Sequence, residues 1–363
     1  MNTTPKYIIV TAVTIISLLL LWYFRAIVAY VLIAAVVAIV GKPVMDMLLR
    51  IHFKKRRMPR WGAALITETL IWLIFAALFS IFIPLFVSKI NELSNLNGNM
   101  FHEAFTGPIK SLEIWLINTL GLKPDFSLTD SILSELKSLL NIDMINSFIS
   151  SFVTIAGNIG IALFSITFIA FFFLKDENMF CNILVTIFPR KYEANIRNAM
   201  DSVGTLLMRY FTGIIAESLI LTTFVSVVLL IFGSAAREAL FIGMFVGLLN
   251  VIPYVGPLIA FCVSLIIAML SPIAGFTFFG TIFVVGATVL TAQLIDNMLL
   301  QPLLYSNRVK AHPLEIFIVI LVAGNVGGVI GMLLAIPSYN VIRVFAKEFF
   351  NKFRVVQKLT EKI

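Results

Sequence analysis

Six stretches of this chain are apolar for long enough to cross a bilayer, and nothing else in the sequence limits the fold as strongly. They fall at 7–24, 26–41 with a polar extension, 61–87, 152–174, 211–232 and 276–295. A spanning helix needs about 20 mostly apolar residues, because inside lipid each backbone N–H and C=O must be satisfied by the segment itself. Of the 363 residues 60% are hydrophobic and 13% charged, against about 45–50% and about 25% in a soluble domain. That balance excludes a water-soluble globule. The first run follows Lys6, as in a signal peptide, but no small-residue cleavage pattern comes after it and further apolar runs do, so it reads as a first transmembrane helix. Arg25 alone separates the first two runs. The aromatic cluster Trp22, Tyr23, Phe24 suits an interface, which favours a tight hairpin at Arg25 over one very long helix.

Charge sets the expected sidedness. Residues 42–60 carry seven Lys and Arg against Asp46, whereas 89–151 carry four Lys against seven Asp and Glu. From Arg343 onward six basic residues face two acidic ones. The basic loop and both termini are therefore expected in the cytoplasm, with 89–151 as a small helical extracytoplasmic domain. A net charge of +8 is explained by such loops rather than by nucleic acid. The expected division is 1–88 (the first three spans and the basic loop), 89–151 (external), 152–210 (fourth span and amphipathic helices), 211–347 (transport core) and 348–363 (basic tail). Within 178–208 the apolar spacing of Ile183 and Ile187, and of Ile196, Met200, Val203 and Leu207, predicts amphipathic helices on the inner surface.

Two further segments, 237–271 and 312–344, exceed thirty residues and would each be about 50 Å long as a single helix at 1.5 Å per residue. Each is interrupted near its middle, the first by Pro253, Gly256 and Pro257 in NVIPYVGP, the second by Gly324, Asn325, Gly327, Gly328 and Gly331 in AGNVGGVIG. Two half-length arms around a breaker describe a re-entrant hairpin. The expected fold is an all-α polytopic membrane protein with six full spans and two interrupted helical hairpins, or eight spans if both segments cross. The loop at 297–313, with Arg308 and Lys310, falls on the basic side in the hairpin arrangement, which the positive-inside rule prefers. The two breaks would then enter from opposite sides and meet near the midplane. Irregular backbone at that depth is tolerated only where protein or a water-filled cavity satisfies it, so the breaks point to a pathway, unless Gly and Pro merely allow close helix packing.

Ionisable residues within spans are costly and mark function by default. Glu217 stands six residues into the fifth span and is the first candidate for handling a proton or cation; the alternative is an interfacial residue paired with Arg209. Asp296 and Asn297 close the sixth span with Gln293 one turn earlier, forming a polar stripe or simply a hydrated helix end. Glu68, between Thr67 and Thr69, is a weaker candidate beside the basic loop. His312, before Pro313, reads as a positional loop residue before it reads as a pH or metal site. Cys181 and Cys262 have no paired spacing and suit packing. No H-E-x-x-H, G-x-S-x-G, Walker loop or Cys/His cluster is present, so the expectation is a non-enzyme without cofactor or metal: a secondary transporter, a channel or a scaffold.

Three blocks, GLLNVIPYVGPLIA from Gly247, QLIDNMLLQPLLYSNRVKAHPLEIF from Gln293 and GGVIGMLLAIPSYNVIRV from Gly327, together resemble the autoinducer-2 exporter family of bacterial and archaeal membrane proteins. Looser matches are GKPVMDMLLR with RRMPRWGAAL after the second span, FLKDE at 173–177 and RYFTG at 209–213. The resemblance implies a multi-pass inner-membrane protein, homo-oligomeric with a pentamer as the family expectation. It implies export of a small solute such as autoinducer-2 or, as for other members, monovalent cation/proton antiport. The residues it marks are Asn250, Pro253, Tyr254, Gly256 and Pro257, then Asp296, Asn297, Pro302, Arg308, His312 and Pro313. Met298 stands where many relatives have a second Asn, and Ile214 where they often have Gln, which removes two amides from the expected pathway. The expected function is therefore ion-gradient-driven export of a small solute across the bacterial inner membrane, with cation/proton antiport and a non-transporting envelope scaffold as alternatives.

Overall fold

The computed structural model describes residues 22–50, 52–53, 56–94, 160–176, 178–304 and 312–350, with isolated positions in 16–20 and 106–118. The chain is an all-α polytopic membrane protein. Four helical stretches, Ala26–Arg50, Arg60–Lys89, Arg190–Ile231 and Phe278–Leu303, are long and apolar enough to cross a membrane. A two-residue ladder within the basic loop is the exception to helix among the described residues: β1 (His52–Phe53) pairs antiparallel with β2 (Arg56–Arg57).

Helix α1 runs from Arg25 to Arg50 and is set off from the helical residues 22–23 by a turn at Phe24. The Phe24 N–H donates to the Leu20 carbonyl at 2.9 Å and its own carbonyl accepts the Val28 N–H at 3.0 Å, so helical bonding stops and resumes at this residue. After β2 come α2 (Arg60–Ser94), α3 (Gly160–Lys175), α4 (Met179–Ile187) and α5 (Glu193–Ile231). The amphipathic stretch at 193–208 is thus not a separate surface helix: it is the first half of α5, whose 39 residues contain no proline. The segment 95–159, which holds most of the expected external domain, lies outside the described residues apart from isolated positions and Gly160's helix onward.

Contacts divide the chain into two compact units, one of residues 1–74 with 154–208, the other of 75–153 with 209–363. In the first, α1, the start of α2 and α3 meet through small residues: Ala34, Ala63, Ala64 and Ala170 are fully buried. Such surfaces let helices approach closely, which replaces the hydrophobic drive that lipid removes. In the second, Leu221, Val225 and Leu229 of α5 form a core with Phe241, Ile242 and Val246 of α6 (Ala236–Leu249), Ile267 of α7 (Val255–Leu270) and Val284, Val285 and Val289 of α8 (Phe278–Ile295). Phe82 of α2 stacks on Phe241 at 6.0 Å and on Phe245 at 6.3 Å.

Both interrupted segments are helical hairpins. With 14 and 16 residues, α6 and α7 are about 21 and 24 Å long, each short of the roughly 30 Å hydrocarbon core. They pack on one another. The second hairpin is α10 (Pro313–Phe350), which doubles back at Gly328, where φ is +59° and ψ −141°. That conformation belongs to glycine almost alone. The return is fixed by two contacts: a Cβ on Gly331 would collide with the Ala323 carbonyl, and Tyr339 reaches Glu315, 24 residues earlier, at 2.8 Å. In a straight helix those last two residues would stand about 36 Å apart.

Candidate functional site

The link between α6 and α7 holds most of the residues singled out around NVIPYVGP. Asn250 ends α6. Pro253 supplies the carbonyl that accepts the Val255 N–H at 2.7 Å, closing a γ-turn around Tyr254. Tyr254 there has φ +63° and ψ −52°, a strained hand of that turn for a residue with a side chain. Its ring lies edge-on to Phe317 at 6.1 Å. The tip of the first hairpin therefore touches the root of the second, since Phe317 sits about 16 Å of helix before the turn at Gly328; the tip-to-tip meeting is not what this contact makes. Gly256 is buried beside the Leu249 carbonyl, and Pro257 occupies the first turn of α7, where no backbone N–H is required.

Glu217 and Asn250 are brought together by a seam of small residues. On α6, Gly243 and Gly247 are one turn apart, and a Cβ on either would overlap a hydroxyl of α5, Ser226 Oγ for the first and Thr222 Oγ1 for the second. The next turn of each helix carries Asn250 and Glu217. The Asn250 Nδ2 donates to Glu217 Oε1 at 2.8 Å, and Glu217 is only 4% exposed. A buried carboxylate needs such a donor, because taking an unpaired charge out of water is costly. Glu217 lies 14 residues before the end of α5, about 21 Å along the helix.

Asp296, fully buried, opens a π-helical turn over Asp296–Leu300 that continues α8. The Gln301 N–H bonds the Asp296 carbonyl, one residue further back than in an α-helix. Pro302 accounts for the wide turn: without an N–H it cannot continue the ladder, and its ring crowds the carbonyl four residues earlier. The extra residue swings Gln301 onto the face of Asp296. Its Nε2 donates to Asp296 Oδ2 at 2.8 Å and to Asn297 Oδ1 at 3.2 Å, while Gln293 Nε2 reaches the same Oδ2 at 3.4 Å. The other oxygen, Oδ1, is buried without a partner. Asn297 is exposed.

The remaining marked residues lie elsewhere. Gly324 packs under Met332, while Asn325, Gly327 and Gly328 are exposed at the turn of α10. Pro302 sits in the short helix α9 (Gln301–Leu304), and Pro313 begins α10. His312 is exposed just before it, its Nδ1 accepting the Leu314 N–H at 3.3 Å. Arg308 lies outside the described residues. Glu68 is 5% exposed, with one carboxylate oxygen unpartnered. No group of three metal-ligating side chains occurs among the described residues.

Three polar features escaped the sequence. Lys89, counted there as an external charge, is buried near the end of α2; it donates to Ser271 Oγ at 2.8 Å and pairs with Glu238 at 3.2 Å. It thereby holds the open end of the first hairpin, since Glu238 starts α6 and Ser271 ends α7. In the second hairpin the Tyr339 hydroxyl donates to Glu315 at 2.8 Å, and buried Arg343 lies 5.5 Å from the Tyr339 ring. Gln301 is the third, and Pro302 after it was its only local signal.

The family model described as AI-2E family transporter matches residues 11–351. The chain belongs to that family. It is 31% identical over 213 residues, 59% of this chain, to YueF of Bacillus subtilis (strain 168), and 29% identical over 189 residues, 51% of this chain, to YrrI of the same organism. A third similar protein, MT0215 of Mycobacterium tuberculosis (strain CDC 1551 / Oshkosh), is 33% identical over 87 residues, 24% of this chain. All three are named, provisionally, as transport proteins. The matches cover 55%, 50% and 22% of those proteins, so the chain spans about half the length of the first two. This family member is thus a multi-pass membrane protein of a transporter family, with Asn250 and Asp296 in the blocks that first suggested the relationship.

Proposed function

We propose that this chain exports a small polar solute of the autoinducer-2 kind, driven by an ion gradient, from the cytoplasmic side of a bacterial inner membrane as a homo-oligomer. The observation that carries the reading is the Glu217–Asn250 bond at the tip of a helical hairpin, deep in an apolar core. At that link the carbonyl end of α6 and the amide end of α7 lie side by side, offering acceptor and donor dipoles to a solute bearing hydroxyls. Asn250 bridges the link to the carboxylate, so a solute that displaces the amide would alter the charge balance of Glu217. Pro253, Tyr254, Gly256 and Pro257 shape the site, and Gln293, Asn297 and Asp296 form a second polar station.

Monovalent cation/proton antiport is the second reading, favoured by Asp296. A fully buried carboxylate with one satisfied and one unpartnered oxygen is suited to exchange a proton for a cation.

Proteoliposomes with an internal pH dye separate the two. Pulses of Na⁺, K⁺, Li⁺ or autoinducer-2 are compared in wild type, Glu217→Gln and Asp296→Asn. Proton flux triggered by the organic solute and lost in Glu217→Gln supports the exporter; flux triggered by cations and lost in Asp296→Asn supports the antiporter. Silence to every pulse overturns both and leaves a scaffold.

A further inference from the structure

At the boundary level of the first unit lies an open cleft of about 670 Å³, lined by Arg60, Asp176, Asn178, Asn182 and Thr186 together with Met179 and Ile183. Its position along the membrane follows from the helices that supply it. Arg60 is the first residue of a membrane-length helix, and Asp176 directly follows the apolar helix that ends at Lys175. The cleft therefore sits where lipid headgroups sit.

Its polar groups are free to take a ligand. Arg60 makes no hydrogen bond or ion pair among the described residues. Asn178 starts α4 without capping it through its side chain. Arg197 donates to Asn182 Oδ1 at 3.4 Å, which leaves the Nδ2 amide as the side chain's group for a ligand. Thr186 donates its hydroxyl proton to the Asn182 carbonyl at 2.8 Å and so faces other groups as an acceptor. Asp176 is half exposed and its Lys175 contact is long, 3.9 Å, the kind of exposed pair that contributes little. Lys175 has a second seat over the Phe172 ring at 5.5 Å. Arginine and two amides match a phosphodiester. Asp176, the acidic residue of the lining, repels a purely anionic headgroup and attracts an ammonium. Met179, Ile183 and neighbouring Trp61, all substantially exposed, meet the start of acyl chains as interfacial side chains do.

We infer that this cleft is a binding site for an aminophospholipid headgroup, its phosphate on Arg60, Asn178 and Asn182 and its ammonium on Asp176. The site belongs to the first unit and does not depend on what the second unit transports.

The test is native mass spectrometry of the full chain in neutral detergent, titrated with dioctanoyl phosphatidylethanolamine, dioctanoyl phosphatidylglycerol, or phosphoethanolamine without acyl chains. The ethanolamine lipid is expected to give saturable adducts and to outcompete the glycerol lipid. Arg60→Gln weakens them by about tenfold, the size of one lost charge-assisted contact. Asp176→Asn removes the preference between the two lipids, and Arg190→Gln, at an exposed arginine outside the cleft, changes nothing. Melting curves matching wild type show that the variants are folded. Equal binding of both lipids by wild type, undiminished binding by Arg60→Gln, or equally strong binding of free phosphoethanolamine would each overturn the assignment.

Discussion

The two helical hairpins solve the same problem differently. The first is fastened to helices outside itself: Lys89 of α2 bridges its open end, and Glu217 of α5 holds its tip. The second is closed by its own two arms, through Tyr339 and Glu315, around a glycine turn. The first turns through a five-residue link with a strained tyrosine, the second through one residue that only glycine accommodates. The polar ties of the first hairpin run to other helices, whereas the Tyr339–Glu315 bond of the second joins its own two arms. The contact between them, Tyr254 on Phe317, is where movement of one would reach the other.

Removing Lys89 should break this contrast most severely. Lys89→Met leaves the partly buried Glu238 without its cation, a loss below the roughly 3–5 kcal/mol of a fully buried pair, read as a large drop in the melting temperature of the detergent-solubilised protein. The double reversal Lys89→Glu with Glu238→Lys should recover part of it, and an unchanged melt in Lys89→Met would mean that the first hairpin is not anchored there. Asn250→Ala takes the donor from a buried carboxylate, worth about 1.5–3 kcal/mol; solute-driven flux should fall with it, and full flux would remove Asn250 from the site. Gly328→Val forces a β-branched residue into a glycine conformation at about 1–3 kcal/mol, and a cysteine pair at 323 and 331 should then cross-link less readily than with Gly328 intact. Tyr339→Phe deletes one hydrogen bond, about 1 kcal/mol, and should loosen the second hairpin without moving the first, as hydrogen exchange of the two arms can show. Tyr254→Gly should change stability least, because relief of the strained turn offsets the lost ring contact with Phe317.

Much of the architecture was legible because membrane helices announce themselves by length. The runs at 61–87 and 276–295 lie within helices, and both long segments with central breakers proved to be hairpins. Arg25 marked a boundary that the backbone shares, since a turn at Phe24 precedes the helix that starts at the arginine. The candidate site was legible only residue by residue. Glu217 and Asn250 were each marked, but their bond spans 33 positions and depends on the glycines at 243 and 247, whose role appears only when α5 lies beside α6. Lys89 sits at the end of an apolar run, where its neighbours in sequence say surface and its partner at position 238 says interior.

The seam between α5 and α6 carries one further consequence. Where Gly243 and Gly247 face α5, the α6 side is bare backbone, with no side chain to mesh with the hydroxyls of Thr222 and Ser226. Such a surface lets the two backbones approach closely, with the hydroxyls seated in the notches that the glycines leave. Asn250 on Glu217 fastens the tip, and Lys89 with Glu238 and Ser271 fastens the open end, so whatever takes hold of that carboxylate frees the tip while the far end stays clasped.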